Sequence, residues 1–212
     1  MSHLPIDHSD TPIRLFRSDF LEFFTHISPL VVLAIWLPVA LFFLVRAALS
    51  APEASFPFYL PAAVLVGLFV WTFAEYTLHR FVFHFRARNP VQERIIFLFH
   101  GIHHAQPQCK TRLVMPPVVS IPMALLFYGL FSLLVGSALH APAWVDPLFA
   151  GFILGYLAYD MIHYATHHFP FRSGVLKYLK RYHMAHHYKT PNQRFGVSSP
   201  LWDFVFSTHP AG

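Results

Sequence analysis

Four long apolar stretches alternate along this chain with polar, basic segments. They cover residues 27–49, 57–78, 114–139 and 144–163. Each reaches the roughly 20 residues that a bilayer-spanning helix needs. Charge is confined to their edges: Arg46 near the end of the first, Glu75 near the end of the second, none in the third, and Asp146 and Asp160 at the two ends of the fourth. The links Ser50 to Phe56 and His140 to Ala143 are too short for anything but tight connections. The pattern predicts an all-α integral membrane fold, with four transmembrane helices in two hairpins and a cytosolic helical cap from 79–113 and 164–212. A polar or interfacial leader, 1–26, completes a single domain of 212 residues. Within it Ser18 to His26, with Phe20, Leu21, Phe23 and Phe24, suits a position along the membrane surface.

The cations set the sidedness, because cytosolic loops retain Lys and Arg. Arg14 and Arg17 precede the first span; Arg80, Arg86, Arg88, Arg94, Lys110 and Arg112 lie between the second and third; Arg172, Lys177, Lys180, Arg181, Lys189 and Arg194 follow the fourth. Only Arg46 is left for the far side, so both termini are expected in the cytosol. Composition agrees: 55% hydrophobic and only 12% charged residues are unlike a soluble globular chain. The formal charge of +5 is better matched to anionic headgroups than to nucleic acid, which is not expected as a partner. Cys109 is the only cysteine, which excludes an internal disulfide and a multi-thiolate metal site, and it reads as a bystander in a loop. The N-terminus has no cleavable signal pattern, and the first span is expected to direct insertion.

Candidate chemistry comes from histidine. After the second span come His79 and His84, then His100, His103 and His104; after the fourth come His163 and His167, then His183, His186 and His187. His100 lies 16 positions after His84, as His183 does after His167, so the two halves follow one plan. On a helix, positions three and four apart differ by only about 60° and 40° around the axis, so each triplet and the pair His163/His167 can share a face. His79 and His84, five apart, differ by about 140°. They can share a face only if the backbone leaves α geometry near Phe81 to Phe83; otherwise they serve different metals.

Ten imidazoles exceed the coordination of one ion and suit two neighbouring ions with an open position. Dioxygen chemistry requires a redox metal, so two iron ions are expected, with O2 as co-substrate; zinc, favoured by affinity, can occupy the site on purification. His3, His8, His26, His140 and His209 have no partners at ligand spacing, and His168 breaks the repeat. Ligating imidazoles usually pass their second N–H to a carboxylate or carbonyl, which makes Glu75, Asp160 and Asp203 candidate supports. Tyr159 is a candidate for the substrate entrance, while Tyr76 and Tyr164 fit an interfacial aromatic belt.

The runs EYTLHRFVFH (Glu75 to His84), HGIHH (His100 to His104), RLVMPP (Arg112 to Pro117), YDMIHYATHH (Tyr159 to His168), YHMAHHY and FGVSSPLWDFVFST (Tyr182 to Thr208) resemble the fatty acid 2-hydroxylase branch of the fatty acid hydroxylase superfamily. The resemblance implies a dinuclear iron site held by those ten histidines. It also implies an O2-dependent monooxygenase that hydroxylates carbon 2 of a free fatty acid or of a ceramide acyl chain. Many eukaryotic members carry a b5-type cytochrome domain ahead of the first span. Here a short polar leader stands there, so a separate donor, a b5-type cytochrome or ferredoxin-like protein, is expected, and a bacterial inner membrane is favoured over the endoplasmic reticulum. Acyl desaturases and carotenoid or sterol hydroxylases share the histidine grammar, and a metal transporter is the alternative outside enzymes.

Overall fold

The computed structural model describes residues 6–50 and 56–210. Most of the connection 51–55, and His3, lie outside them. Every regular element among the described residues is helical: α1 (Asp19–Phe23), α2 (Pro29–Ser50), α3 (Phe56–Thr77), α4 (Pro90–Ile96), α5 (Ile102–Ala105), α6 (Pro117–Phe131), α7 (Val145–His168), α8 (Gly174–Tyr188) and α9 (Leu201–Val205). Short π-helical stretches extend three of them: Leu78–Phe83 after α3, Phe97–Gly101 after α4 and Ser132–Ala138 after α6. Among the described residues, four helices are long and apolar enough to cross a membrane, Pro29–Ser50, Phe58–Phe83, Pro117–Ala138 and Pro142–His168. This is an integral membrane protein.

Two of these helices outrun their apolar stretches. Charge and histidine end a hydrophobic run, but they do not end a hydrogen-bonded ladder, so α3 continues through its π turn to Phe83 and α7 continues to His168. The third helix starts at Pro117, later than hydropathy alone places it. Proline at a first helical turn has no N–H to waste, and it keeps the preceding residue extended; Pro116 has φ −68° and ψ 151°.

The chain divides into two compact units. One comprises Leu30–Trp71 and Met115–Ala158. Its central helix is α7, whose most apolar window lies 72% inside the protein, against 11–33% for the other three. Small residues permit this: a Cβ added at Gly67 would run into the Leu148 carbonyl, and one at Gly151 into the Val64 carbonyl, so α3 and α7 meet backbone to backbone. Gly151→Leu is therefore expected to cost about 3 kcal/mol or more through overpacking. Gly129→Ala, with nothing within 4 Å of the added carbon, should be tolerated. Thermal unfolding in detergent compares them.

The other unit comprises Met1–Pro29, Thr72–Val114 and Tyr159–Gly212. The polar leader is bound here by side-chain chemistry. Gln106, fully buried, donates to Asp7 at 2.8 Å and accepts from the Ile13 N–H at 2.9 Å, while Lys110 pairs with Asp10 at 2.7 Å. Glu22 accepts from the Leu15 and Phe16 N–H groups and from the buried Arg112 at 2.7 Å. Cys109 is buried within this unit.

Candidate metal centre

Local backbone geometry brings the histidine pairs onto single faces. In the π turn Leu78–Phe83 the His84 N–H donates to the His79 carbonyl five residues back, at 3.1 Å. That wider turn puts residues five apart on one side, and the His79 and His84 ring centroids stand 5.0 Å apart. The departure from α geometry expected near Phe81 to Phe83 is present. His163 and His167 sit on the last turns of α7 with centroids 5.1 Å apart, as regular α spacing allows.

The triplets behave differently from the pairs. His100 and His104 join His79 and His84, but His103, between them in sequence, points to the other set. Likewise His183 and His187 join His163 and His167, while His186 crosses to the first. Two groups result: His79, His84, His100, His104 and His186; and His103, His163, His167, His183 and His187. In each, one ligand atom per residue lies within 4.8 Å of all the others. Among the described residues, His8, His26, His140, His168 and His209 belong to neither group.

The facing atoms are the Nε2 nitrogens. In the first group His79 and His104 each lie 3.0 Å from His100, and His84 and His104 each lie 3.2 Å from His186. In the second, His103 is 2.9 Å from His163 and 3.0 Å from His187, and His183 is 3.0 Å from both His167 and His187. Nitrogens bound about 2.1 Å from one ion and at right angles to each other stand about 3.0 Å apart. Each neutral imidazole turns either one N–H or one lone pair inward, so five convergent nitrogens cannot all pair with one another by hydrogen bonding. The donor set and its spacing fit a cation in each group.

Burial first, then the neighbouring imidazoles, hold His100, His103, His104, His183, His186 and His187 well below the usual range, and His84 down to about 2. These rings are neutral, as ligands must be. The folded-state values lie below the unfolded value of 6.5, so unfolding takes up protons in acid. Metal-free protein is expected to keep its full stability above about pH 6.5 and to lose it progressively below. A pH series of thermal midpoints checks the sign.

The second ring nitrogens reveal what fixes the rings. His79 Nδ1 donates to the Phe195 carbonyl, His163 Nδ1 to the Leu113 carbonyl at 2.9 Å, and His186 Nδ1 to the Gln193 carbonyl at 2.7 Å. A carbonyl can only accept, so these three rings carry their proton on Nδ1 and turn an unprotonated Nε2 inward. Glu75 and Asp203 act one step further out, and among the described residues neither hydrogen-bonds an imidazole. Glu75 accepts from the Val197 N–H at 2.6 Å, the Ser198 N–H at 2.8 Å and the Ser198 hydroxyl; Asp203 accepts from the Phe195 and Gly196 N–H groups and from Thr208. Both carboxylates hold the loop that presents the Phe195 carbonyl. Gly196 is required in it, because a Cβ there would collide with the Ser199 carbonyl.

Asp160 is buried, and Tyr159 is buried and stacked on the His163 ring at 5.8 Å. Tyr76 corrects the aromatic-belt expectation. It is fully buried, bonded to Thr208 at 3.0 Å and stacked on Phe206, because its hydroxyl finds partners inside the protein. Leu113, Gln193 and Phe195 were missed by side-chain reasoning because they act through backbone oxygen. The only sequence signal for Leu113 and Phe195 is membership of the RLVMPP and FGVSSPLWDF runs, and Gln193, two residues before the second run, has none.

Residues 64–208 match the family model described as fatty acid hydroxylase. The chain belongs to the fatty acid hydroxylase family. It is 39% identical over 208 residues to the dihydroceramide fatty acyl 2-hydroxylase FAH1 of Arabidopsis thaliana, covering 98% of this chain and 84% of that one. It is 40% identical over 210 residues to the ceramide very long chain fatty acid hydroxylase SCS7 of Saccharomyces cerevisiae. That match takes in 98% of this chain but about half of the yeast protein, 52%. The solved structure of full-length scs7p, in which only the hydroxylase domain is visible, superposes with a TM-score of 0.81 at 37% identity, over 91% of this chain and 70% of that one. As in these relatives, the family places the chain among hydroxylating oxidoreductases.

Proposed function

We propose that this protein hydroxylates carbon 2 of a fatty acyl chain, free or carried by a ceramide, with dioxygen at a pair of irons. The ten histidines His79, His84, His100, His103, His104, His163, His167, His183, His186 and His187 would hold them, five to each ion. The observation that carries this reading is the pair of five-nitrogen groups at single-ion spacing, in a chain so similar to named acyl 2-hydroxylases. Two irons, when bound, supply the reduction of dioxygen and the oxidising power to replace C–H by C–OH.

The chain's own residues bind, orient and shield. Phe195, Leu113 and Gln193 fix three tautomers through their carbonyls, Glu75 and Asp203 steady the loop, Tyr159 stacks on His163 of the second group, and we assign the buried Asp160, three residues before His163, a supporting part there. Depth favours carbon 2. His79 and His163/His167 stand at the ends of spanning helices, and the carbon beside an acyl carbonyl lies close to the headgroups. The distribution of Lys and Arg puts those ends and both termini in the cytosol. Balance requires R–H + O2 + 2e⁻ + 2H⁺ → R–OH + H2O, so a reductant is needed, and we assign that part to a one-electron carrier of the b5-type cytochrome or ferredoxin-like class. A transporter would hold its site near the bilayer midplane, which the helix-end position of these histidines disfavours.

Mass spectrometry of lipids from an expressing host grown under labelled dioxygen tests the reading. One labelled oxygen at carbon 2 is expected. A double bond, a label from water or no change against cells without the protein would overturn it.

A further inference from the structure

Helix α8 has two chemically opposite sides. His183, His186 and His187 are buried on one, and because His186 crosses, this helix, like the short α5 with His103 and His104, contributes to both five-histidine groups. On the other side Lys177, Arg181 and Tyr188 recur at helical spacing and are exposed. They line an open groove of about 930 Å³ together with Arg172, Lys189 and Arg194. The sequence contains no Asp or Glu between Asp160 and Asp203, and no acidic residue lines the groove. Four cations elsewhere are paired, Arg14 with Asp19, Arg46 with Asp146, Lys110 with Asp10 and Arg112 with Glu22, whereas the other unpaired ones, such as Arg17 and Arg86, are not gathered with an aromatic floor in this groove. Among the described residues, Arg172, Lys177, Arg181, Lys189 and Arg194 enter no ion pair. A concave surface of one sign, left uncompensated, attracts a partner of the other.

The floor of the groove leads directly to the metal side. Tyr182 lines it, stacks on Tyr178 at 5.8 Å and on His209 at 5.6 Å, and is bonded in sequence to His183. Arg194, whose guanidinium lies 5.8 Å from the Tyr182 ring centre, is flanked by the two residues whose carbonyls hold His186 and His79. A redox centre seated here is separated from the imidazoles by one helix, about 10–12 Å across with its side chains. It also has short covalent routes to both groups.

Resting on the proposed oxygenase reading, we infer that this groove docks a small acidic one-electron carrier protein, which delivers the two electrons of each turnover singly through α8. Anionic lipid would account for the charge, but not for an aromatic floor adjoining ligands of both groups.

The test uses full-length protein in nanodiscs of neutral phosphatidylcholine and, as probe, the soluble acidic haem domain of a b5-type cytochrome. Lys177→Glu/Arg181→Glu is expected to weaken cytochrome binding at least tenfold at low salt and to flatten its salt dependence. The ratio of cytochrome-driven to dithionite-driven metal reduction should fall at least tenfold as well. Lys177→Arg/Arg181→Lys should retain binding, and cytochrome carrying acidic-to-lysine changes should recover affinity for the reversed variant, which separates charge from misfolding. Equal affinity of wild type and reversed variant, or no binding by wild type, overturns the docking site. So does a variant that binds cytochrome normally but loses anionic vesicles, which would make the groove a lipid surface. If iron-loaded wild type yields no hydroxylated lipid even with dithionite, the oxygenase reading fails, while the cytochrome titration still reports on the groove.

Discussion

Replacing His103 by alanine is expected to lower bound metal from two ions per chain to about one and to abolish hydroxylated lipid. Loss of partners that only support a ligand already costs about 10–100-fold, so loss of a ligand should exceed that. The crossing of His103 makes the experiment sharper. His103 and His163 belong to one group although they are far apart in sequence, whereas His103 and His104 are adjacent but belong to different groups. His103→Ala/His163→Ala should therefore retain about as much metal as His103→Ala alone. His103→Ala/His104→Ala should lose both ions. Non-additivity within a shared site and additivity between separate ones is the general expectation. Metal analysis of the four proteins decides it, and the reverse ranking would mean that the triplets are not exchanged.

Glu75→Ala is the second large effect expected, although among the described residues Glu75 hydrogen-bonds no imidazole. It removes the acceptor of two N–H groups and a hydroxyl in a buried loop. Each buried donor left unmade costs about 1–3 kcal/mol. The same loop presents the Phe195 carbonyl to His79, so metal release to a chelator should accelerate by about 10–100-fold. Glu75→Gln keeps an oxygen for the Val197 and Ser198 amides and should recover part of both losses. If Glu75→Ala releases metal at the wild-type rate, the loop does not govern His79.

Much of this was legible in the sequence for a physical reason: period and composition act locally. The all-helical class and the four long apolar helices followed from apolar run length, and a departure from α geometry followed from the five-residue spacing of His79 and His84, although its form, a π turn in place of a helix end or unwinding, did not. What was not legible depends on distant pieces of chain. Spacing says which imidazoles share a face of one helix, but not which ion that face addresses, so the exchange of His103 and His186 could not be read. Side-chain chemistry pointed to carboxylates as direct partners of the rings, whereas backbone carbonyls of Leu113, Gln193 and Phe195 occupy those positions and leave no residue signature. Tyr76 looked interfacial beside a run of apolar residues, yet its partners Thr208 and Phe206 lie at the other end of the chain.

The exchanged histidines also constrain how such a protein can be made. Neither five-membered set is complete until synthesis has passed His186, so a nascent or truncated polypeptide that stops in the first half offers four nitrogens of the first set and one of the second. Acquisition of the full pair of ions must then come late, after both halves have been inserted and have met, and it would lock together segments that the ribosome produced far apart in time.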